Sequence, residues 1–154
     1  MKEQEYLTKE KHAELTKELE TLKTIKRKEV AESLEYAKQL GDLSENAEYH
    51  EARELQANIE DRIRKVEAIL KSAEIVSFHH SESVQIGTTV TIQKVGDSEQ
   101  RKFQIVGSEE ADMAGGKLSN KSPIGAALLG KKKDDIVKVQ APSGSVSYKI
   151  VIIA

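Results

Sequence analysis

Asp42 and Glu45 are the residues of this chain whose types and spacing best suit chemistry. They stand three apart in Gly41-Asp42-Leu43-Ser44-Glu45-Asn46, between two long stretches of helical pattern. Two carboxylates so spaced at a helix start share one face, about 5–6 Å apart at Cβ, and could share one divalent cation. Magnesium takes about six oxygens and is commonly held by one or two carboxylates with waters and phosphates. This pair alone would hold it weakly, so the missing ligands would have to come from another molecule's site. The same spacing has a plainer reading. Asp-x-x-Glu resembles a capping box, in which each side chain satisfies free N–H groups at a helix start. Spacing alone leaves both readings open.

The elements that position the pair are legible on either side. Thr8 is a candidate N-cap, and Lys9 to Leu40 carries Leu15, Leu19, Leu22, Ile25, Val30, Leu34 and Ala37 at helical spacing. The step from Ile25 to Val30 breaks the alternation of three and four, and is read as a local shift of the packing seam within one helix. Gly41 can take the left-handed conformation that closes a helix, and Asp42 or Ser44 can cap the next. The returning helix runs to Lys71, with Ala52, Leu55, Ile59, Ile63, Val66 and Leu70 on one stripe. A helix of about 32 residues is about 48 Å long. Two such helices must pair along their stripes as an antiparallel coiled-coil hairpin, with the acids at its tip.

After Lys71 the period changes. Glu74 to Phe78 is strand-like, and His79-His80-Ser81-Glu82-Ser83 is a polar connector. Alternating runs follow at Thr88 to Val95, Arg101 to Val106, Ile136 to Gln140 and Val146 to Ile153, with turn residues between them. Ser122-Pro123 opens a short helix that Gly130 ends. The expectation is a two-domain α+β chain: a hairpin over residues 1–77 with its tip at 41–46, a linker at 78–83, and a globular antiparallel-sheet domain over 84–154.

Composition removes several function classes. Without cysteine there is neither a disulfide framework nor a thiolate metal site. No apolar run reaches the roughly 20 residues of a membrane span, and the lysine- and acid-rich start is unlike a signal peptide, so a cytoplasmic protein with no membrane partner is expected. Charged residues make up 32% of the chain, yet the net charge is −2, not the basic excess of a protein tethered through phosphates. Aromatics at 4% argue against a base-stacking platform. There is no phosphate-cradling glycine loop, no His-x-x-x-His pair and no nucleophile elbow. His79 and His80 read as surface histidines, not a metal site, and Lys131-Lys132-Lys133 as a solvated turn.

Gly41-Asp42-Leu43-Ser44-Glu45-Asn46-Ala47-Glu48-Tyr49-His50, followed by Ala52-Arg53, closely resembles the tip motif of the bacterial transcript cleavage factors, the GreA/GreB family. The likeness extends to Leu19-Glu20 through Lys26-Arg27, Ile105-Val106-Gly107, Glu110-Ala111-Asp112, Ser122-Pro123-Ile124-Gly125 and Leu128-Leu129-Gly130-Lys131, and is nearer to the GreA branch. It implies a globular domain similar to FK506-binding proteins, docked on RNA polymerase at its secondary channel, and a coiled coil that enters the channel. The factor then stimulates the polymerase's own cleavage of backtracked RNA and is not itself an enzyme.

On this sequence the resemblance implies that Asp42 and Glu45 help hold a second Mg2+ shared with the polymerase, none being bound stably by the chain alone, and orient the attacking water. Gly41, Leu43, Ser44 and Asn46 would support the tip, with Ser44 and Asn46 ordering water or phosphate. Arg53 and Lys38 would contact the 3′ end of the RNA, Lys38 having plain solvation as its alternative, and Ser122 and Pro123 would dock on the polymerase. Lys28 stands where many relatives have proline, and Ala126 where many have arginine. With no Trp and two Phe, an aromatic-lined prolyl isomerase pocket is not expected. The competing functions are a channel-occupying inhibitor of polymerase and a purely structural adaptor. The expected state is a monomer.

Overall fold

The computed structural model describes residues 4–42, 44–77 and 81–154, so the expectations for Leu43 and for Phe78, His79 and His80 fall outside the described residues. Within its first helical stretch, Thr8 caps as expected, its hydroxyl accepting the Lys11 N–H at 3.1 Å. Helix α1 (Lys9–Thr21), a π-helical turn (Leu22–Lys26) and α2 (Arg27–Gln39) follow without interruption. The π turn stands at the irregular step of the apolar pattern. Eight residues at about 100° each would carry Val30 about 80° away from Leu22 around a plain α-helix. An i→i+5 turn absorbs one extra residue, and both side chains pack with Leu19, Ile59 and Ile63 in one cluster. The inserted turn also puts Ile25 outside the seam, at 52% exposed. Helix α3 (Ala47–Ser72) returns with Ala52, Ile59, Ile63 and Val66 buried. Leu55, expected on the same stripe, is instead half exposed.

The hairpin seam is narrow, and charged side chains bridge its edges. Arg27 makes a two-pronged pair with Glu60 at 2.7 and 2.8 Å, Arg62 another with Glu18 at 2.5 and 2.9 Å, and Lys23 pairs with Glu67. These groups are each about a third exposed or more, so solvent screens them and each pair stabilises little. Their fixed pairing still favours one register of α3 against the first helices.

The chain divides into the hairpin, His12–Ser72, and a second unit that joins the described part of Met1–Lys11 to Ala73–Ala154. The expected division placed the first residues with the hairpin. They group with the globular unit because β1 (Glu5–Leu7) pairs in parallel with β2 (Ala73–Ile75). The strand expected from Glu74 overlaps β2, whereas the three residues of β1 are too few to show a period of two. β1 is secured further by Glu110, a buried acid in a 3-10 turn (Ser108–Glu110), which accepts the Thr8 N–H at 2.9 Å and the Thr8 hydroxyl at 2.8 Å.

The remaining strands, β3 (Thr89–Lys94), β4 (Gln100–Val106), β5 (Lys117–Ser119), β6 (Ile136–Ala141) and β7 (Gly144–Ile153), form one sheet in the order β5-β4-β3-β7-β6. The sheet is mostly antiparallel, as expected. The exception is β5, which pairs in parallel with β4 and was not foreseen. Val84, Val90, Ile92, Ile105, Leu118, Leu128, Val137 and Ile150 make its core. Helix α4 (Pro123–Leu128) covers it, with Ser122 as the expected N-cap and Gly130, at φ +76°, just beyond its end. Among the described residues no helix is long and apolar enough to cross a membrane.

Candidate functional site

The connection between α2 and α3 is short and is held by side-chain hydrogen bonds. Gly41 takes φ +122°, a backbone that other residues rarely adopt, with open space around it. Asn46 then starts α3: its side-chain oxygen accepts the Tyr49 N–H at 3.0 Å, and its carbonyl accepts the His50 N–H at 3.1 Å. Its side-chain nitrogen donates to the Ala37 carbonyl at 2.7 Å, tying the end of α2 to the start of α3. This corrects one expectation: Asn46, not Asp42 or Ser44, supplies the cap, and its amide bonds within the hairpin through both its oxygen and its nitrogen. The signal was in the sequence, since Asn is a strong N-cap directly before the first helical residue, but Asp42 and Ser44 were equal candidates.

The capping-box reading of the acids therefore falls. Asp42 and Glu45 lie in the turn ahead of α3, not on its first face, and no helix N–H is bonded to either among the described residues. Asp42 instead accepts from Ser44, through Oδ1, from the N–H at 3.0 Å and the hydroxyl at 2.9 Å. Those two bonds, the backbone one first, hold the Asp42 carboxyl below its ordinary pKa, because they favour the charged acceptor. Asp42 and Glu45 are both exposed and line one shallow depression with Leu40, Asn46, Ala47 and Glu48.

As a metal site the pair is incomplete. Among the described residues no three His, Asp or Glu side chains are grouped to hold an ion. Two carboxylates with no cationic side chain paired to them among the described residues do fit a fraction of a magnesium ligand set, whose remainder must come from elsewhere.

The other predicted residues lie apart from the turn. Lys38 is exposed in the last turn of α2. Arg53 is exposed on α3 and donates to Gln56 at 3.1 Å. In the globular unit the Ser122 hydroxyl donates to the Ser119 carbonyl at 2.7 Å and accepts the Gly125 N–H at 3.1 Å. It is committed locally, leaving Pro123 and Ala126 as the exposed part of that segment.

The family description "Transcription elongation factor, N-terminal" matches residues 5–75, and "Transcription elongation factor, GreA/GreB, C-term" matches residues 79–154. The chain belongs to the GreA/GreB family. It is 46% identical to a transcription elongation factor GreA of Roseiflexus castenholzii over 95% of this chain and 94% of that one. It is 50% identical to a GreA of Streptococcus gordonii over 89% of this chain and 87% of the relative. Among solved structures, GreA factor homolog 1 (Gfh1) of Thermus thermophilus is 27% identical, covers 99% of each chain and superposes with a TM-score of 0.46. GreA/GreB proteins are thus named as elongation factors, not as catalysts, and the helical hairpin with its α+β partner is the fold of this member.

Proposed function

We propose that this GreA/GreB protein, acting as a monomer, enters the secondary channel of RNA polymerase and brings Asp42 and Glu45 to the polymerase active site. There it stimulates the polymerase's own cleavage of backtracked nascent RNA and so rescues arrested complexes. The observation that carries this reading is the Asp42 carboxylate itself. It is exposed in a helix-to-helix turn, held by two hydrogen bonds from Ser44, and released from capping by Asn46. Asp42 and Glu45 would hold a Mg2+ jointly with the polymerase, and such an ion stabilises the entering and leaving oxygens of the displacement. Glu45 would accept a hydrogen bond from the attacking water and so orient it. Arg53 and Lys38 would hold RNA phosphates, and the segment at Ser122 and Pro123 would dock on the polymerase, chiefly through Pro123.

The test uses stalled, backtracked elongation complexes with labelled RNA. Wild type should shorten the RNA in a magnesium-dependent way. Asp42→Asn and Glu45→Gln should each bind polymerase normally and lose on the order of a hundredfold in cleavage rate, as when a positioned electrostatic group is removed. In the same complexes Arg53→Ala should weaken crosslinking to the RNA 3′ end without affecting docking. Cleavage by wild type without polymerase, or full activity in both acid variants, would overturn the reading.

A further inference from the structure

Ser44 is the hub of the turn, bonded through its N–H, its hydroxyl and its carbonyl. Its N–H and hydroxyl donate to Asp42, at 3.0 and 2.9 Å. Its carbonyl lies 3.3 Å from Nε2 of His50, on the first turn of α3. A carbonyl oxygen can only accept, so Nε2 must carry the proton. The imidazole is further fixed by an edge-on contact with the Tyr49 ring, centroids 5.8 Å apart. Tyr49 in turn gives its N–H to the Asn46 side chain at 3.0 Å. The chain of contacts thus runs from a capped, regular helix through His50 to Ser44, and from Ser44 to the carboxylate.

We infer that His50 is a positioning residue for Asp42: by donating from Nε2 to the Ser44 carbonyl, it restrains Ser44, the residue whose N–H and hydroxyl aim the carboxylate. His50 touches no reacting atom in this scheme. Its effect is on the fraction of turns that present Asp42 correctly, and small misplacements of a reacting group are costly. The inference rests on the proposed role of Asp42 and adds to it a residue that acts on the tip from within α3.

The test measures cleavage of backtracked RNA against factor concentration for wild type, Asp42→Asn, His50→Leu and His50→Gln. Glutamine can place an amide N–H near the position of Nε2, and leucine cannot. His50→Leu should lower the saturating cleavage rate about tenfold while the half-saturating concentration and the helical circular dichroism stay unchanged. His50→Gln should recover to within about threefold of wild type. Separately, imidazole nitrogen shifts in the wild-type protein should report the Nε2–H form at neutral pH, a readout that does not depend on any variant folding. Equal saturating rates for wild type and His50→Leu, or an imidazole protonated on Nδ1 alone, would overturn the role of His50. An active Asp42→Asn would instead remove the reading on which it rests, so the two failures are distinct.

Discussion

In the globular unit Val90, Ile105, Leu128 and Ile150 are completely buried within one apolar cluster of eight buried residues, whereas among the described residues the central hairpin cluster buries Val30, Ile59 and Ile63, with Leu19 and Leu22 partly buried. Apolar burial contributes about 25 cal/mol per Å², so the sheet and α4 have the larger reserve. The hairpin adds exposed ion pairs along its edges, and at its end the apolar contribution gives way to hydrogen bonds centred on Ser44 and Asn46. The difference shows where sequence is free to serve chemistry. In the globular unit most inward positions are needed for packing. At the turn Asn46 takes over capping and bridging, so Asp42 and Glu45 owe little to folding. The contrast can be broken at three points.

The largest effect should come from Gly125→Ala. A Cβ at this position would sit 2.0 Å from the Ser119 carbonyl oxygen and 2.9 Å from the Ser122 hydroxyl. Both belong to a hydrogen-bonded turn that cannot yield cheaply. A loss of about 3 kcal/mol or more is expected, in the range of overpacked or strained core sites. Amide spectra recorded through a urea titration should show the strands unfolding at a much lower midpoint while α3 keeps its own. If α3 follows the sheet down, the two units share one cooperative transition and the contrast in their stabilisation has no independent meaning.

Next is Asn46, where fold and site meet. Asn46→Ala removes the cap and the bridge to Ala37 together, and should cost about 1–2 kcal/mol, read as faster hydrogen exchange at Tyr49 and His50. Asn46→Asp should fall between, since a carboxylate can still accept the Tyr49 N–H but has no proton for the Ala37 carbonyl. Asp42→Asn, by contrast, should leave these exchange rates almost unchanged. An equal response to Asn46→Ala and Asp42→Asn would mean that the acids do carry the fold of the turn.

How much of this was legible follows the same division. The hairpin was readable because long apolar stripes average over many residues, and even the π turn left a trace in the irregular step from Ile25 to Val30. The stripe did mislead at Leu55, where apolar character alone could not show that the residue faces water. In the globular unit the four longer strands showed their alternation, while β1, β2 and β5 have three residues each and are defined by partners distant in sequence. The acids were picked out by type and by the glycine before them. Their freedom from capping was not legible, because Asp42, Ser44 and Asn46 are all competent caps and only the three-dimensional turn selects one. His50 was missed as a separate residue for a related reason: its partner is a backbone carbonyl, which no sequence distinguishes.

The smallest effect is the most direct probe of the turn's polar bracing. Asp42 has an ordinary value of 3.8, and the Ser44 N–H and hydroxyl lower it in the folded chain. A depressed folded value means that the contribution of these bonds is complete above the ordinary value and is lost as pH falls through the lowered one. A carbon NMR titration of the Asp42 carboxyl should therefore show a midpoint below 3.8 in wild type. Ser44→Ala removes the hydroxyl bond but leaves the backbone N–H bond, the larger cause, so its midpoint should rise only part of the way. At neutral pH both proteins present an ionised Asp42, and any loss of cleavage in Ser44→Ala would then reflect aim, not charge. A wild-type midpoint at or above the ordinary value would mean that the Ser44 bonds do not persist in solution. The polar bracing at the end of the hairpin would then rest on the Asn46 cap and its bridge to Ala37.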